Sequence, residues 1–161
     1  AIVGPNGSGK TSFFRALAGL WDRKGVKLPK NIYFMPQAGY LQLDCCLYQQ
    51  ISYPQINYDK KSCNQLIELV GLSKFIEQAD QMLDWNIILS GGQKQRVFWA
   101  RMFYQKPEFA LLDEPTSAIS SDIIKSLFLI GKERGITFVS IVHQKELEKL
   151  HDSTLDITTY A

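Results

Sequence analysis

The sequence has little of several features that mark whole classes of protein. It holds only three Cys in 161 residues, too few for a disulfide scaffold, which indicates reduced thiols in a cytosol-like compartment. No apolar run approaches the roughly 18 residues needed to span a bilayer, and no signal-like segment opens the chain. Its 18 Lys and Arg against 16 Asp and Glu predict no basic face for nucleic acid, so no nucleic-acid partner is expected.

What remains is the composition of an average globular domain. Hydrophobic residues make up 45% and charged residues 21%, which excludes disordered and fibrous proteins. The length allows one compact domain, or one domain with a small lobe. A membrane role would therefore have to come through a partner or through another part of the protein.

Apolar runs and helical patterns predict an α/β fold. Residues 109–112 and 136–142 are apolar without alternation, which is typical of parallel strands covered on both faces, and the helical pattern over 122–134 supplies the crossover. Residues 31–35 are a further short strand. Residues 1–3 are an apolar stub shorter than an ordinary strand, so we expect a fragment or a trimmed domain.

Between the strands the chain is mostly helical. Helices are predicted over residues 12–18, over 63–70 with Ser62 as the cap, and from Ser90 to Gln105 before Pro107. We therefore predict a core of residues 1–37 and 107–161, a parallel sheet flanked by helices. An inserted α-helical subdomain would occupy residues 38–106, and the whole chain, 1–161, would form one domain.

The segment after the first strand has the spacing of a phosphate-binding loop. It fits G-x-x-x-x-G-K-[ST] between a strand and a helix, where successive N–H groups can hold a phosphate at a helix N-terminus. Lys10 would reach the β- and γ-phosphate oxygens, and the Thr11 hydroxyl would bind Mg²⁺. The segment comprises Gly4, Pro5, Asn6, Gly7, Ser8, Gly9, Lys10 and Thr11, followed by Ser12.

Two carboxylates follow the apolar strand at 109–112. Asp113 would lie near the phosphate loop and hold Mg²⁺ through its water shell. Glu114, one residue later, would act on the attacking water as a general base. Strand-end acids also begin turns, and the residues that follow Glu114 fit one.

A second anion-binding helix start precedes the helix that ends at Gln105. One nucleotide does not need two γ-phosphate sites in one domain, so we expect a head-to-tail pair in which Ser90 and Gly92 of one copy contact ATP held by the other. The alternative is a purely structural role, in which Ser90 caps the helix and the glycines allow close packing. The segment comprises Leu89, Ser90, Gly91, Gly92 and Gln93.

These motifs together resemble the nucleotide-binding domain of an ABC ATPase, a P-loop NTPase fold. The LSGGQ string at residues 89–93 is specific to that family among phosphate-loop proteins. The resemblance implies ATP and Mg²⁺ as cofactors and a role for Gln37, after a short strand, as a loop glutamine that meets Mg²⁺ and the water. It also implies that His143 contacts the γ-phosphate and orients the water with Glu114.

Three strings are similar to exporter half transporters of subfamily D and related bacterial proteins, namely residues 84–86 before the signature, residues 100–104 after it and residues 137–143. Ser120 stands where most ABC ATPases have Asp, as often in subfamily D, and Gln144 stands where exporters commonly have Arg. The resemblance implies a second ABC ATPase domain (homo- or heterodimer) and transmembrane domains as partners, on the cytosolic face of an organelle membrane or a bacterial inner membrane. The strand and aromatic residue that stack on adenine would precede Ala1.

After Gln37, the exposed aromatics Tyr40, Tyr48 and Tyr53 would form the surface that receives a membrane-domain helix, or would pack in the core. Three other functions stay open. They are a soluble ABC ATPase of translation or DNA maintenance, a small-molecule kinase, and a non-catalytic interaction module that binds nucleotide poorly.

Overall fold

The computed structural model describes residues 1–19, 31–115 and 119–160. Contacts within the chain divide it into two units, one of Ala1–Gln37 with Pro107–Ala161 and one of Ala38–Lys106. Much of the turn that the sequence predicts after Glu114 lies outside the described residues. None of the helices in the described ranges is long and apolar enough to cross a membrane.

The first unit is a parallel β-sheet with helices against it. Its strands are β1 (Ile2–Val3), β2 (Ile32–Met35), β3 (Phe109–Asp113), β4 (Thr137–Ile141) and β5 (Leu155–Asp156). Its α-helices are α1 (Lys10–Leu17), α6 (Ser121–Glu133) and α7 (Lys145–Glu148), and a 3-10 helix covers Ile157–Tyr160. The predicted α/β class with a parallel sheet is confirmed.

The strand order is β2-β3-β4-β1-β5, and every pair of neighbours is parallel. Strand β4 therefore lies between β1, which leads into the phosphate loop, and β3, which ends in Asp113. In register, Asp113 and Ile2 both pair with Ile141. The carboxyl ends of β1, β3 and β4 consequently meet at one edge of the sheet.

The sheet of this unit is covered on both faces, as its uninterrupted apolar strands require. One buried cluster joins Ile2, Phe14, Leu111 and Ile141. Elsewhere, Phe128 of α6 packs on Phe138 of β4, with ring centroids 4.7 Å apart.

The second unit is helical. Its α-helices are α2 (Leu47–Ser52), α3 (Lys60–Leu69), α4 (Trp85–Ile88) and α5 (Gly91–Gln105), with a 3-10 helix over Ser73–Gln78. Helix α5 packs against both α2 and α3, and its Trp99 and Met102 are fully buried.

One prediction about this unit is wrong, and for Tyr48 the core-packing alternative is the correct one. Helix α3 begins three residues earlier than predicted, and its cap is Asp59, whose carboxylate accepts a hydrogen bond from the Ser62 amide at 2.9 Å. Ser62 thus lies inside the first turn. Tyr48 is buried rather than exposed, because its ring packs on Tyr58 and its hydroxyl bonds Asn64 at 2.8 Å. The predicted start of α5 at Ser90 and its end at Gln105 agree with the structure.

Candidate nucleotide-binding and catalytic site

The phosphate loop connects β1 to α1 and depends on glycine at its last turn. Gly9 is the N-cap of α1 with φ 86°, and Gly7 has φ 81°. Residues with a Cβ rarely adopt this left-handed conformation, so glycine is needed for the loop to turn into the helix. None of the described side chains caps α1, which leaves its first N–H groups available to an anion.

Lys10 is the first residue of α1, and its side chain folds back over the loop. The residue is 7% exposed, and Nζ donates hydrogen bonds of 2.8 Å to the carbonyl oxygens of Gly4 and Pro5. The ammonium group is therefore held at the mouth of the loop by two neutral acceptors. A phosphate oxygen there would be a stronger, charged acceptor.

A cavity of about 510 Å³ opens beside this loop. All of the described residues that line it were singled out from the sequence. They are Asn6, Gly7, Gly9, Lys10, Thr11, Ser12, Gln37 and Glu114. The structure thus brings the phosphate loop, Gln37 and Glu114 together around one cavity.

Asp113 at the end of β3 is 3% exposed, and its Oδ1 is buried without a hydrogen-bond partner among the described residues. Burial raises the pKa of Asp113, the charge of Glu114 raises it further, and a hydrogen bond with Thr11 opposes both. A buried acceptor left without a donor is costly. A cation held by Asp113 and Thr11 would satisfy this oxygen, so the donor set fits Mg²⁺.

Glu114 follows directly and is held from two sides. Gln37 Nε2 donates to its Oε2 at 2.7 Å, and His143 Nε2 lies 2.8 Å from its Oε1. The Glu114 side chain is 28% exposed, which leaves it accessible to water. Gln37 and His143 therefore meet one carboxylate from segments 77 and 29 residues away in sequence.

The backbone of Glu114 is itself unusual, since its φ is 49°. A non-glycine residue in the left-handed region costs of the order of 1–2 kcal/mol. Such conformations persist where the surrounding structure holds them, often at functional sites. Here the conformation turns the chain between β3 and Pro115 while the carboxylate bonds Gln37 and His143.

The strand order explains how these groups meet. Asp113 pairs with Ile141, so His143 lies two residues beyond the pair at the edge where β3 ends. Because β4 separates β1 from β3, the histidine follows the strand between the phosphate loop and Glu114. The expectation that His143 emerges at the edge of Asp113 agrees with this geometry.

The signature segment (residues 89–93) lies in the second unit, at the start of α5. Ser90 caps the helix, with its Oγ accepting from the Gln93 amide at 3.4 Å, and Gln93 Oε1 accepts from the Ser90 amide at 3.0 Å. This is a capping box. Ser90 and Gly91 are exposed, and Gly92 is partly exposed.

One residue near the loop escaped the sequence analysis. A Cβ placed on Gly4 would lie 3.0 Å from Cγ2 of Ile157, so Ile157 packs against the start of the phosphate loop. The only signal in the sequence is an isolated Ile after a polar stretch. That signal does not distinguish a loop contact from an ordinary surface residue.

Comparisons with known proteins agree with this geometry. Residues 1–117 match the family model described as ABC transporter. The human lysosomal cobalamin transporter is 38% identical over 97% of this chain and 29% of its own length. ATP-binding cassette sub-family D member 1 of Drosophila melanogaster is 38% identical over 96% of this chain and 23% of its own length.

This chain thus spans less than a third of each of these relatives. A solved structure of a bacterial Atm1-family ABC exporter with ATP bound matches with a TM-score of 0.80 at 23% identity, over 96% of this chain and 31% of that one. The structural likeness confirms the fold, and the sequence relatives confirm the predicted resemblance to subfamily D.

Proposed function

Because the chain belongs to the ABC transporter family, we propose that it is the ATP-binding and ATP-hydrolysing domain of an exporter-type half transporter. The observation that carries the proposal is the contact of Gln37 and His143 with Glu114 beside the phosphate-loop cavity. A simple turn-forming carboxylate would need neither partner. A base for water, in contrast, needs fixed orientation within reach of the phosphate.

The phosphate loop supplies the binding step. The N–H groups at the start of α1 would hold the β-phosphate, with the helix dipole favouring its negative charge. Lys10 would exchange its two carbonyl acceptors, Gly4 and Pro5, for β- and γ-phosphate oxygens. This exchange replaces neutral acceptors with charged ones and favours the bound state.

Thr11, Gln37 and Asp113 would hold Mg²⁺, which when bound neutralises charge on the phosphate oxygens. To reach such a position, Gln37 would have to release the Glu114 carboxylate that it now bonds, and the contact with His143 would then keep the carboxylate oriented. Glu114 would then accept a proton from the attacking water as the water oxygen bonds the γ-phosphorus and the bond from that phosphorus to the bridging oxygen breaks, with ADP as the leaving group. His143 would stay against Glu114 and orient the carboxylate and the γ-phosphate.

The signature segment would act on a second copy or a related domain. Its helix start would present Ser90, Gly92 and Gln93 to ATP bound by the partner's phosphate loop, in a head-to-tail dimer of two equivalent interfaces. Exposure of Ser90 and Gly91 supports this role. Hydrolysis would then require both copies, whereas nucleotide binding would not.

Transmembrane domains would dock on the second unit, at the cytosolic face of an organelle membrane or a bacterial inner membrane. The segment after Gln37 exposes large side chains, with Tyr40 74%, Leu43 66% and Tyr53 44% accessible. Large exposed apolar side chains in one segment support an interaction surface there. Closure of the dimer would move these domains, and hydrolysis would reset them.

The test is Glu114→Gln, assayed for ATP hydrolysis in the full-length transporter and for dimer formation with ATP and Mg²⁺. We expect turnover to fall by about 10²- to 10⁴-fold, the usual contribution of a general base, while an ATP-bound dimer accumulates. Glu108→Gln, an exposed carboxylate at the opposite end of β3, is the matched control and should hydrolyse normally. Unchanged turnover in Glu114→Gln would overturn the assignment of the base.

A further inference from the structure

Two side-chain amides hold consecutive backbone residues of the segment that follows Gln37. Asn86 Oδ1 accepts from the Leu41 amide at 3.2 Å, and Asn86 Nδ2 donates to the Leu41 carbonyl at 2.9 Å. Gln50 does the same to Gln42, accepting from its amide at 3.0 Å and donating to its carbonyl at 2.7 Å. Each carboxamide thus satisfies both polar groups of one residue, as a neighbouring β-strand would.

The two amides differ in where they lie. Gln50 belongs to α2 and is fully buried, and Arg101 Nε donates to its carbonyl at 2.7 Å. Asn86 belongs to α4 and is partly exposed. Asn86 thus joins the segment to the short chain that enters the signature segment, whereas Gln50 is bonded by Arg101 from the body of α5.

The path from Asn86 to Ser90 is short and hydrogen-bonded. Leu89 is the C-cap of α4 and its amide bonds the Trp85 carbonyl at 3.1 Å, and the next residue, Ser90, is the N-cap of α5. Trp85 is fully buried and packs edge-on against Phe75, with ring centroids 5.9 Å apart. A helical turn anchored in this way moves as a body rather than bending between its residues.

Leu41, the backbone partner of Asn86, lies in the sequence between residues with exposed side chains. Leu41 is fully buried, but Tyr40 before it and Leu43 two residues after it are 74% and 66% exposed. A partner that presses on these side chains therefore pushes on backbone that Asn86 holds.

We propose that Asn86 is a positioning residue that couples displacement of residues 40–43 to the orientation of Ser90 and Gly91 at the signature helix start. The proposal rests on the proposed function, because there residues 40–43 receive the membrane domains and Ser90 contacts ATP of the second copy. Asn86 itself would contact neither the membrane domains nor the ATP.

The experiment is a double-mutant cycle on this chain without nucleotide, read by ¹H–¹⁵N NMR. Leu43→Ala is the perturbation, chosen because it removes exposed atoms without the ring-current shifts of an aromatic. Amide shifts of Gly91 and Gly92 are the readout, measured in the parent, in Asn86→Leu and in the control Gln50→Leu. Both Leu variants remove two side-chain-to-backbone hydrogen bonds, so a general loss of stability affects both.

We expect Leu43→Ala to move the Gly91 and Gly92 signals in the parent and in Gln50→Leu. In Asn86→Leu the same movement should shrink by about threefold or more, since coupled residues depart from additivity. Asn86→Asp keeps the acceptor for the Leu41 amide but sets a second acceptor against the Leu41 carbonyl, so an intermediate loss is expected. If Asn86→Leu unfolds the chain, the Asn86→Asp comparison carries the test.

Equal movement in the parent and the Asn86 variants would overturn the proposal, and so would an equal loss in Gln50→Leu, which would indicate general loosening. ATP takes no part in this measurement. If this chain shows the coupling but the full-length transporter hydrolyses no ATP, the proposed function alone is refuted. A chain that hydrolyses ATP without the coupling would refute only the role of Asn86.

Discussion

The helix starts of α1 and α5 offer anions the same backbone donors but differ in how those donors are satisfied. Helix α1 begins at Gly9 with no side-chain cap among the described residues, and Lys10 bonds the loop's own carbonyls. Helix α5 begins at Ser90 and closes its own first turn with Gln93. The first start would be completed by a ligand, whereas the second already has a side-chain capping box and would meet a ligand with its exposed surface.

This difference allows nucleotide binding by one copy to be distinguished from processes that need two copies. Changes at α1 should remove nucleotide affinity in a single copy, while changes at α5 should leave that affinity intact and reduce only what needs two copies. The two helix starts can therefore be tested independently.

The largest expected effect comes from Lys10→Ala. Loss of an ammonium that would bond two charged phosphate oxygens should weaken ATP binding by about 100-fold or more, measured by calorimetry on the isolated chain. Lys132→Ala is the control, because Lys132 pairs with exposed Asp152 at 3.1 Å, remote from the loop, and affinity should not change. ATP affinity equal to that of the parent in Lys10→Ala would contradict the role of the loop.

Ser90→Ala should have a smaller and different effect. Loss of the cap should lower the free energy of unfolding by about 1 kcal/mol and reduce hydrolysis by the dimer, with ATP binding to one copy unchanged. Asp59→Ala removes the cap of α3 in the same unit and should cost similar stability without reducing hydrolysis. If both variants lost hydrolysis equally, the signature helix would have no special role.

Gly131→Ala tests the first unit away from its site. A Cβ at Gly131 would lie 2.2 Å from Phe138 Cζ, so α6 and β4 would have to separate. We expect a loss of about 1–3 kcal/mol on chemical unfolding, partly offset by the higher helix propensity of alanine. Leu129→Ala on the exposed side of α6 is the control, and a more stable Gly131→Ala would contradict the close approach.

The smallest expected effect is on the decrease of Tm at acidic pH. Burial lowers the pKa of His151, whose Nδ1 lies 3.0 Å from the Leu147 carbonyl oxygen. The folded chain thus binds fewer protons than the unfolded chain, and this stability is present above the unfolded pKa of about 6.5 and lost as the pH falls below it. The decrease in Tm between about pH 7 and about pH 5.5 should be smaller in His151→Gln, whose amide does not titrate. An equal decrease would show that other groups set the pH dependence.

The sequence was sufficient for the elements that have strong local signals. Ser90 predicted the start of α5 because its hydroxyl is a good cap, and the uninterrupted apolar runs predicted the parallel sheet. The cap of α3 was misassigned because Asp59 and Ser62 are both cap-forming residues three positions apart. Their mutual hydrogen bond at 2.9 Å decides which is the cap, and it is a feature of the folded backbone.

In the candidate site, too, the residues with local sequence signals were predicted, whereas contacts that depend on the fold were not. Motif spacing identified the phosphate-loop residues and Glu114 among the described residues that line the cavity, and the family resemblance added Gln37. Neither predicted that Gln37 and His143 would bond opposite oxygens of Glu114. The contacts depend on β2 and β4 lying on opposite sides of β3, and strand order has no local signature in the sequence.

The left-handed backbone at Glu114 has a consequence for evolution of the chain. Glycine would adopt this conformation without strain, so a screen for heat resistance alone would favour a replacement that deletes the carboxylate. Selection for turnover would oppose it. Thermal stability and activity therefore conflict at Glu114, and selection for activity retains a residue with a strained backbone conformation.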